Sequence, residues 1–332
     1  MGLVKTSDAE QETYDLKLGD VIFIRSSVKP SGVGLTAVVE ADLPKTVYSG
    51  FLIRFRDGNA LDIAFKKHCF YSEKFRSNLI AASTVSANTN INQDNLKKLF
   101  IALPPTTAEQ RAIAQALSDV DELLATLDQI IVKKRDLKQA TMQQLLTGSI
   151  QLAGFDGKWL EVPLGDIIKL QKGQLITTKT IVPGDIPVIA GGKQPAYFHA
   201  SANRCGKTIT VSASGASAGY VAFHATPIFA SDCSTISESE KYCIEFIYYA
   251  LQLRQEEIYA AQTGGAQPHI QPKDLAPILL KIPEDVTEQA AIASILSDMD
   301  TEIAELEARS NKTSDIKQAM MQELLTGKTR LV

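Results

Sequence analysis

The chain has 332 residues, is 45% apolar and carries a formal net charge of −4. That length holds two domains with real cores, and no apolar run reaches the length of a membrane-spanning helix. Residues 1–12 are polar and do not read as a signal peptide, and the acidic total argues against bulk polyelectrolyte binding. Cys69, Cys205, Cys233 and Cys243 form no Cys-x-x-Cys pair, and His68, His199, His224 and His269 are scattered. The expectation is a cytoplasmic protein with reduced thiols, no structural metal and no membrane partner.

In chain order, Asp20–Arg25 reads as a strand, Ser26–Gly34 as a polar loop and Val47–Arg56 as a second strand. Ile63–Ser77 reads as a helix, Thr84–Asn92 as a polar loop, and Lys98–Leu103 as a last strand. Leu103–Gly148 reads as one long helix behind a Pro and a Thr. Trp159–Ile167 opens a second domain, with loops at Gly173-Gln174 and Gly191–Gln194. Thr208–Ala213 is a strand, Ser214–Gly219 a tight Gly-rich hairpin, Tyr220–His224 another strand and Tyr242–Gln262 helical.

The organising feature is a repeat. A shift of 179 lays Leu103–Gly148 on Ile282–Gly327 without a gap. Glu109-Gln110 falls on Glu288-Gln289, and Leu145–Gly148 on Leu324–Gly327. Apolar residues at Ile113, Leu117, Val120, Leu124, Leu127 and Ile131, and at Ile292, Leu296, Met299, Ile303 and Leu306, draw a seam of the coiled-coil kind. About 40 residues of helix span roughly 60 Å, and so long a seam needs a partner; the other copy is the nearest. The shift persists upstream: Leu79 falls on Ile258, Thr84 on Thr263, Ile91 on Ile270 and Leu96 on Leu275. The two globular parts are unequal, however. About fifty residues separate Trp159 from the strand at Thr208, whereas almost nothing precedes the comparable strand at Val21, so the first domain reads as lacking its opening portion.

Catalytic motifs fail on spacing or context. Gly206-Lys-Thr208 lacks the phosphate-loop glycine four residues upstream and leads into a strand rather than a helix. Ser214–Gly219 opens no obvious helix and has no acidic residue at the dinucleotide-binding distance. Leu103-Pro-Pro-Thr106 is not an adenine methyltransferase motif. What remains is two domains whose loops carry Ser, Thr, Gln, Asn, Lys and Arg, the side chains that read base edges and phosphates. The globular parts are close to charge-neutral (13 basic against 11 acidic over residues 1–98, and 11 against 11 over 149–281), while 282–332 is acidic, 5 against 10.

Two globular domains, each followed by a copied helix with Pro…Glu-Gln at its start and Leu-Leu-Thr-Gly at its end, resemble the specificity (S) subunit of type I restriction–modification systems. The matching stretches are Ile101–Gln110, Lys138–Gly148, Trp159–Ile167, Thr208–Val221, Ile282–Gln289 and Lys317–Gly327. The resemblance implies an α+β fold. Two β-rich target-recognition domains (1–102 and 149–281) would be separated by an antiparallel pair of long coiled-coil helices (103–148 and 282–332), with an internal pseudo-twofold repeat. It further implies a non-catalytic subunit that reads a two-part site on double-stranded DNA. Two methyltransferase (M) subunits carrying S-adenosylmethionine would dock on it, and restriction (R) subunits join in some systems. The acidic face of Glu302, Glu305 and Glu307 suits a protein partner better than phosphate. The alternatives are the specificity subunit of a fused-methyltransferase restriction enzyme, and an adaptor that binds proteins rather than DNA.

Candidate DNA contacts in the second domain are Lys172, Gln174, Lys193, Gln194, Tyr197, Arg204, Ser214, Ser217, Thr263, Gln267 and His269. In the first they are Arg25, Ser26, Lys29, Thr84, Asn88 and Asn90. Because the first domain lacks an opening like Trp159–Ile167, residues 149–281 are expected to read a normal half-site and the first domain little or none.

Overall fold

The computed structural model describes residues 4–58, 60–177, 179–265 and 267–331. It divides into two compact units. Unit 1 takes the chain up to Ile130 together with the stretch from Leu306, and unit 2 takes Ile131–Glu305.

Unit 1 starts with α1 (Asp8–Tyr14), closed at its head by a Ser7/Glu10 capping box. The apolar run β1 (Val21–Ile24) forms the centre of a sheet, buried at Val21 and Phe23. After β2 (Ser26–Ser27) come β3 (Thr36–Val38) and β4 (Leu52–Phe55), which flank β1 in the order β3-β1-β4, both antiparallel to it. The single helix expected over 63–77 is two, α2 (Ile63–Cys69) and α3 (Glu73–Ala81). Ser72 breaks it by capping α3, its Oγ accepting from the Phe75 N–H at 3.4 Å. Next come β5 (Thr84–Val85) and β6 (Thr89–Asn90), joined to β2 in a second small sheet, and α4 (Gln93–Leu96). The long α5 (Thr107–Leu145) follows, and its early turns lay Ile113, Ala114 and Leu117 into the core of Phe23, Phe65, Phe75 and Leu79.

Unit 2 repeats this plan with more in front of it. β7 (Trp159–Pro163), α6 (Leu164–Ile167) and β8 (Gln171–Lys172) come first, then β9 (Ile186–Ile189) and β10 (Tyr197–His199). The fully buried β11 (Thr208–Ser212) corresponds to β1. With β12 (Val221–His224), β13 (Phe229–Ala230) and β14 (Cys233–Ser237) it completes the strands of the central region. The main sheet runs β12-β11-β14-β8, and β10-β9-β13 is a second. Then come α7 (Ile244–Leu253), α8 (Gln255–Ala260), α9 (Pro272–Leu275), β15 (Leu279–Pro283) and α10 (Val286–Leu324).

The strand expected at Lys98–Leu103 is not formed, whereas its repeat counterpart β15 pairs along its length with β7. Extended backbone needs a partner for its N–H and C=O groups, and residues 98–103 have no strand beside them among the described residues.

The two long helices run antiparallel within each unit. In unit 1 Lys317 pairs with Asp121 at 2.5 Å and Arg330 with Glu109, while in unit 2 Lys134 pairs with Glu302 and Lys138 with Asp300. Rising numbers on α5 meet falling numbers on α10. Apolar contact accompanies the ion pairs: Leu324 and Leu325 join the unit 1 core, and Met142, Leu145 and Leu146 share the unit 2 core with Ile292, Ala293 and Leu296.

The repeated caps have repeated geometry. The Oγ1 of Thr106 accepts from the Glu109 N–H, and Oδ1 of its counterpart Asp285 accepts from the Thr287 N–H. At the other ends Gly148 and Gly327 take φ of 64° and 75°, and Ser149 and Lys328 donate back to Gln144 and Glu323 in the six-to-one bond of a Schellman turn. At Gly148 a Cβ would also meet the Trp159 ring at 2.9 Å. That ring packs edge-on against Phe246, centroids 6.3 Å apart.

The repeated Glu-Gln docks each helix onto its own unit. Gln110 accepts from the Asp62 N–H and donates to Ala60, while Gln289 accepts from the Cys243 N–H and donates to Pro283. Glu109 accepts from Nε and Nη2 of Arg330 at 2.5 and 2.7 Å. The position equivalent to Arg330 in unit 2 is Gln151, which reaches Oε2 of the buried Glu288 at 3.3 Å and leaves Oε1 without a partner. Substituting Gln151→Arg should stabilise unit 2 by an amount on the order of 1–3 kcal/mol, the cost of a buried unsatisfied group. Arg330→Gln should weaken unit 1, and denaturant melts of the two variants check both signs.

Unit 1 also leans on buried carboxylates. Burial raises Asp20, Asp57 and Asp62, but side-chain hydrogen bonds from Arg56, Lys66 and Arg111, bonds from backbone N–H groups and the nearby positive charge together outweigh it and hold all three below the usual Asp range. A carboxylate whose pKa is lower folded than unfolded stabilises the fold above its unfolded value and loses that contribution as pH falls through the folded one. Taking the pH from about 5 down to about 3 should therefore strip amide-exchange protection from Val21–Ile24 before Thr208–Ser212.

Candidate nucleic-acid interface

The end of the central strand meets the same short hairpin in both units. In unit 1 β1 runs into Arg25 and Ser26, Ser26 pairs with Asn90, and Asn90 pairs in turn with Thr84. In unit 2 β11 runs into Ala213 and Ser214, Ser214 bridges His269, and His269 bridges Thr263. The Ile91 N–H donates to the Arg25 carbonyl at 3.0 Å, and the Ile270 N–H to Ala213 at 2.9 Å. Of the candidates read from sequence, Ser26, Thr84 and Asn90 are thus brought together in one unit and Ser214, Thr263 and His269 in the other.

Around the unit 2 hairpin lies an open cavity of about 260 Å³ whose lining includes Lys172, Ser214, Ser234, His269 and Gln271. Lys172 Nζ lies 3.4 Å from Gln271 Oε1, and His269 is exposed. A residue that sequence reasoning missed, Asp232, sits in the same wall and accepts from the Ser214 hydroxyl. Its one signal is its place in the polar run Ser231–Ser234 ahead of a strand, which is weak.

The other unit 2 candidates divide by freedom. Lys193 and Gln194 are exposed on the loop after β9, and the Lys193 ammonium stands 5.2 Å over the Tyr220 ring. That loop approaches the hairpin closely, since a Cβ on Gly191 would lie 2.7 Å from the Ser214 carbonyl oxygen. Tyr197 is exposed on β10, and Gln174 and Gln267 on loops. Ser217 is half-buried in the short 3-10 turn Gly215–Ser217. Arg204 is tied inward, donating to the Thr235 hydroxyl and to the Asn203 and Lys172 carbonyls. In unit 1 Lys29 is exposed, Arg25 reaches the Gly50 carbonyl at 3.3 Å, and the exposed Asn88 carbonyl accepts from Ser86 and from the Asn90 amide.

Among the described residues no cluster of His, Cys, Asp and Glu could hold a metal, and no helix is long and apolar enough to cross a membrane. Lys207 of the Gly-Lys-Thr segment is bound to Glu245 at 2.6 Å, and Thr208 begins a strand.

An α+β chain built as two β-rich units on a doubled helix pair is the architecture of the specificity subunits. The family model described as the type I restriction modification DNA specificity domain matches residues 3–133 and 156–314, and the chain belongs to that family. It is 23% identical over 290 residues to a candidate type I specificity subunit of Mycoplasma genitalium, covering 85% of this chain and 75% of that protein. It is 21% identical to the type I restriction enzyme MjaVIII specificity subunit of Methanocaldococcus jannaschii, covering 86% and 75%. Among solved structures, the type I restriction-modification S subunit from M. genitalium superposes with a TM-score of 0.66 at 19% identity, over 95% of this chain and 84% of that one. A chain from a study of type I complex assembly and conformational transition gives 0.57 at 19%, over 95% and 83%.

Proposed function

We propose that this chain is the DNA-reading subunit of a type I restriction–modification complex, working in the cytoplasm without chemistry of its own. The observation that carries the reading is the pair of equivalent rims. The same strand end and the same hairpin recur in two units of a chain whose helices repeat their caps and docking residues. Two similar readers fit a target written in two parts, as symmetric readers fit half-sites. In this reading residues 1–102 and 149–281 are the target-recognition domains, and 103–148 and 282–332 the helices on which two methyltransferase subunits dock. Those partners bring S-adenosylmethionine and methylate adenine, and restriction subunits complete the complex.

The contacts then sort by chemistry. Lys172, Lys193, Lys29 and Arg25 take phosphates, while Gln174, Gln194, Gln267, Asn88, Asn90 and His269 take base edges. Tyr197 stacks or packs on the sugar. Ser26, Ser214, Ser217, Thr84 and Thr263 bond at either place, and Arg204 positions the Lys172 strand from behind. Asp232 adds an acceptor suited to a cytosine amino group.

Co-expression with a methyltransferase subunit, followed by mapping of methylated adenines, should return a two-part motif with a fixed gap. Random or absent methylation with the partner bound would refute the reading. Lys172→Ala should weaken binding to all sequences alike and lower the slope of log K against log salt by about 0.9. Asp232→Asn should instead shift the preference at one base, by about 1–3 kcal/mol. Salt titrations on targets varied one base at a time separate the two outcomes.

A further inference from the structure

One place where the two units differ is a groove. In unit 1 an open cavity of about 430 Å³ lies between β4 and residues 96–101, with Phe23, Ile53, Phe55, Leu96, Leu99 and Ile101 in its walls. By the 179 repeat, Leu96, Leu99 and Ile101 correspond to Leu275, Ile278 and Leu280 of unit 2, all buried in the core there. By strand register, Ile53 and Arg54 correspond to Ser234 and Thr235, since β4 lies on β1 as β14 lies on β11.

In unit 2 one continuous segment occupies this place. β7 pairs with β15, the Leu164 N–H donates to Ile278 and the Gly165 N–H to Ala276, and β8 pairs with Ser234 and Thr235. Between those strands Leu164 and Ile168 are sunk into the core, 1% and 3% exposed. Unit 1 has the receiving half of the arrangement. Among its described residues no strand lies on the outer edge of β4 or beside 98–103. Phe100 is 87% and Leu103 51% exposed, where the counterpart of Leu103, Ile282, is 7% exposed. An uncovered strand edge beside an apolar groove is a site for strand addition, with main-chain bonds giving affinity and side-chain pockets giving selectivity.

We propose that this groove accepts a polypeptide segment with the pattern of Trp159–Lys172. That pattern is a strand ending in Pro-Leu-Gly-Asp, two apolar residues, and a second short strand. The leucine and the second apolar residue fill the groove as Leu164 and Ile168 fill its equivalent. The glycine is demanded by close approach, because a Cβ on Gly165 would lie 2.8 Å from that of Ala276. Lys97, in the place of Ala276 on the groove wall, favours the acidic residue that follows the glycine. One strand then lies along Phe100–Pro104, the counterpart of Leu279–Pro283, and the other along Ile53 and Arg54. This proposal uses the internal repeat alone and stands apart from the DNA-reading function.

The test is hydrogen exchange of the full chain with a synthetic peptide of residues 158–172. At millimolar peptide, amides of 52–55 and 98–103 should exchange at least tenfold more slowly. Leu164→Asp in the peptide, or Ile53→Asp or Leu99→Arg in the chain, should abolish the effect. Unchanged exchange of Val21–Ile24 in the chain variants without peptide establishes that unit 1 remains folded. No protection would overturn the proposal. So would protection only at 233–235 and 279–283, which marks exchange into unit 2, or a concentration-dependent dimer in sedimentation that protects the groove without peptide.

Discussion

Everything in the fold depends on how each long helix is fixed at its start. A helix of 39 residues with a marginal apolar seam does not hold its direction by propensity. It is held by a Glu-Gln pair placed where the helix leaves its domain. The Gln side chain bridges two backbone groups of that domain, and the Glu is gripped from the tail that follows the other helix. The tail can reach it because a left-handed glycine turns the chain sharply at each helix end. The cap, the turn and the docked pair are one device used twice, which is why Thr-Gly and Glu-Gln recur at the same spacing.

The two halves share that device and differ in what surrounds it. Unit 1 closes its docked carboxylate with an arginine, whereas unit 2 closes an equally buried one with a glutamine. Unit 1 braces its sheet with Asp20–Arg56 and a buried Asp57–Lys66 pair, and Lys66 also caps the Gly19 carbonyl. Unit 2 instead adds Leu164 and Ile168 to an apolar core that, as in unit 1, is fed from both long helices. Removing one member of a buried pair costs more than the pair contributes, so unit 1 is the less tolerant of substitution at these positions.

The sequence made the helices, their need of a partner and the central strands legible, because these rest on periodicity and on a repeat, while the antiparallel pairing followed from the family resemblance. Val21–Ile24 and Thr208–Ser212 declared themselves as apolar runs. What escaped depended on partners distant in sequence. Residues 98–103 have strand composition but no neighbouring strand among the described residues, and Ser72 splits a helix that periodicity alone runs through. The rim was partly legible: polar loops gave Ser26, Thr84, Asn90 and their counterparts. Asp232 and the inward tie of Arg204 needed coordinates, since neither a carboxylate beside a hydroxyl nor a guanidinium on carbonyls leaves a mark in local sequence.

Trp159, packed on Phe246 beside the glycine that ends the first long helix, is the one tryptophan in the chain. Indole emission is therefore a reporter of one half of the molecule. A thermal or chemical melt followed by that signal registers the surroundings of Trp159 in unit 2 and carries no probe of unit 1. A single smooth fluorescence transition in this protein is thus no evidence of two-state behaviour; amide circular dichroism or calorimetry has to accompany it.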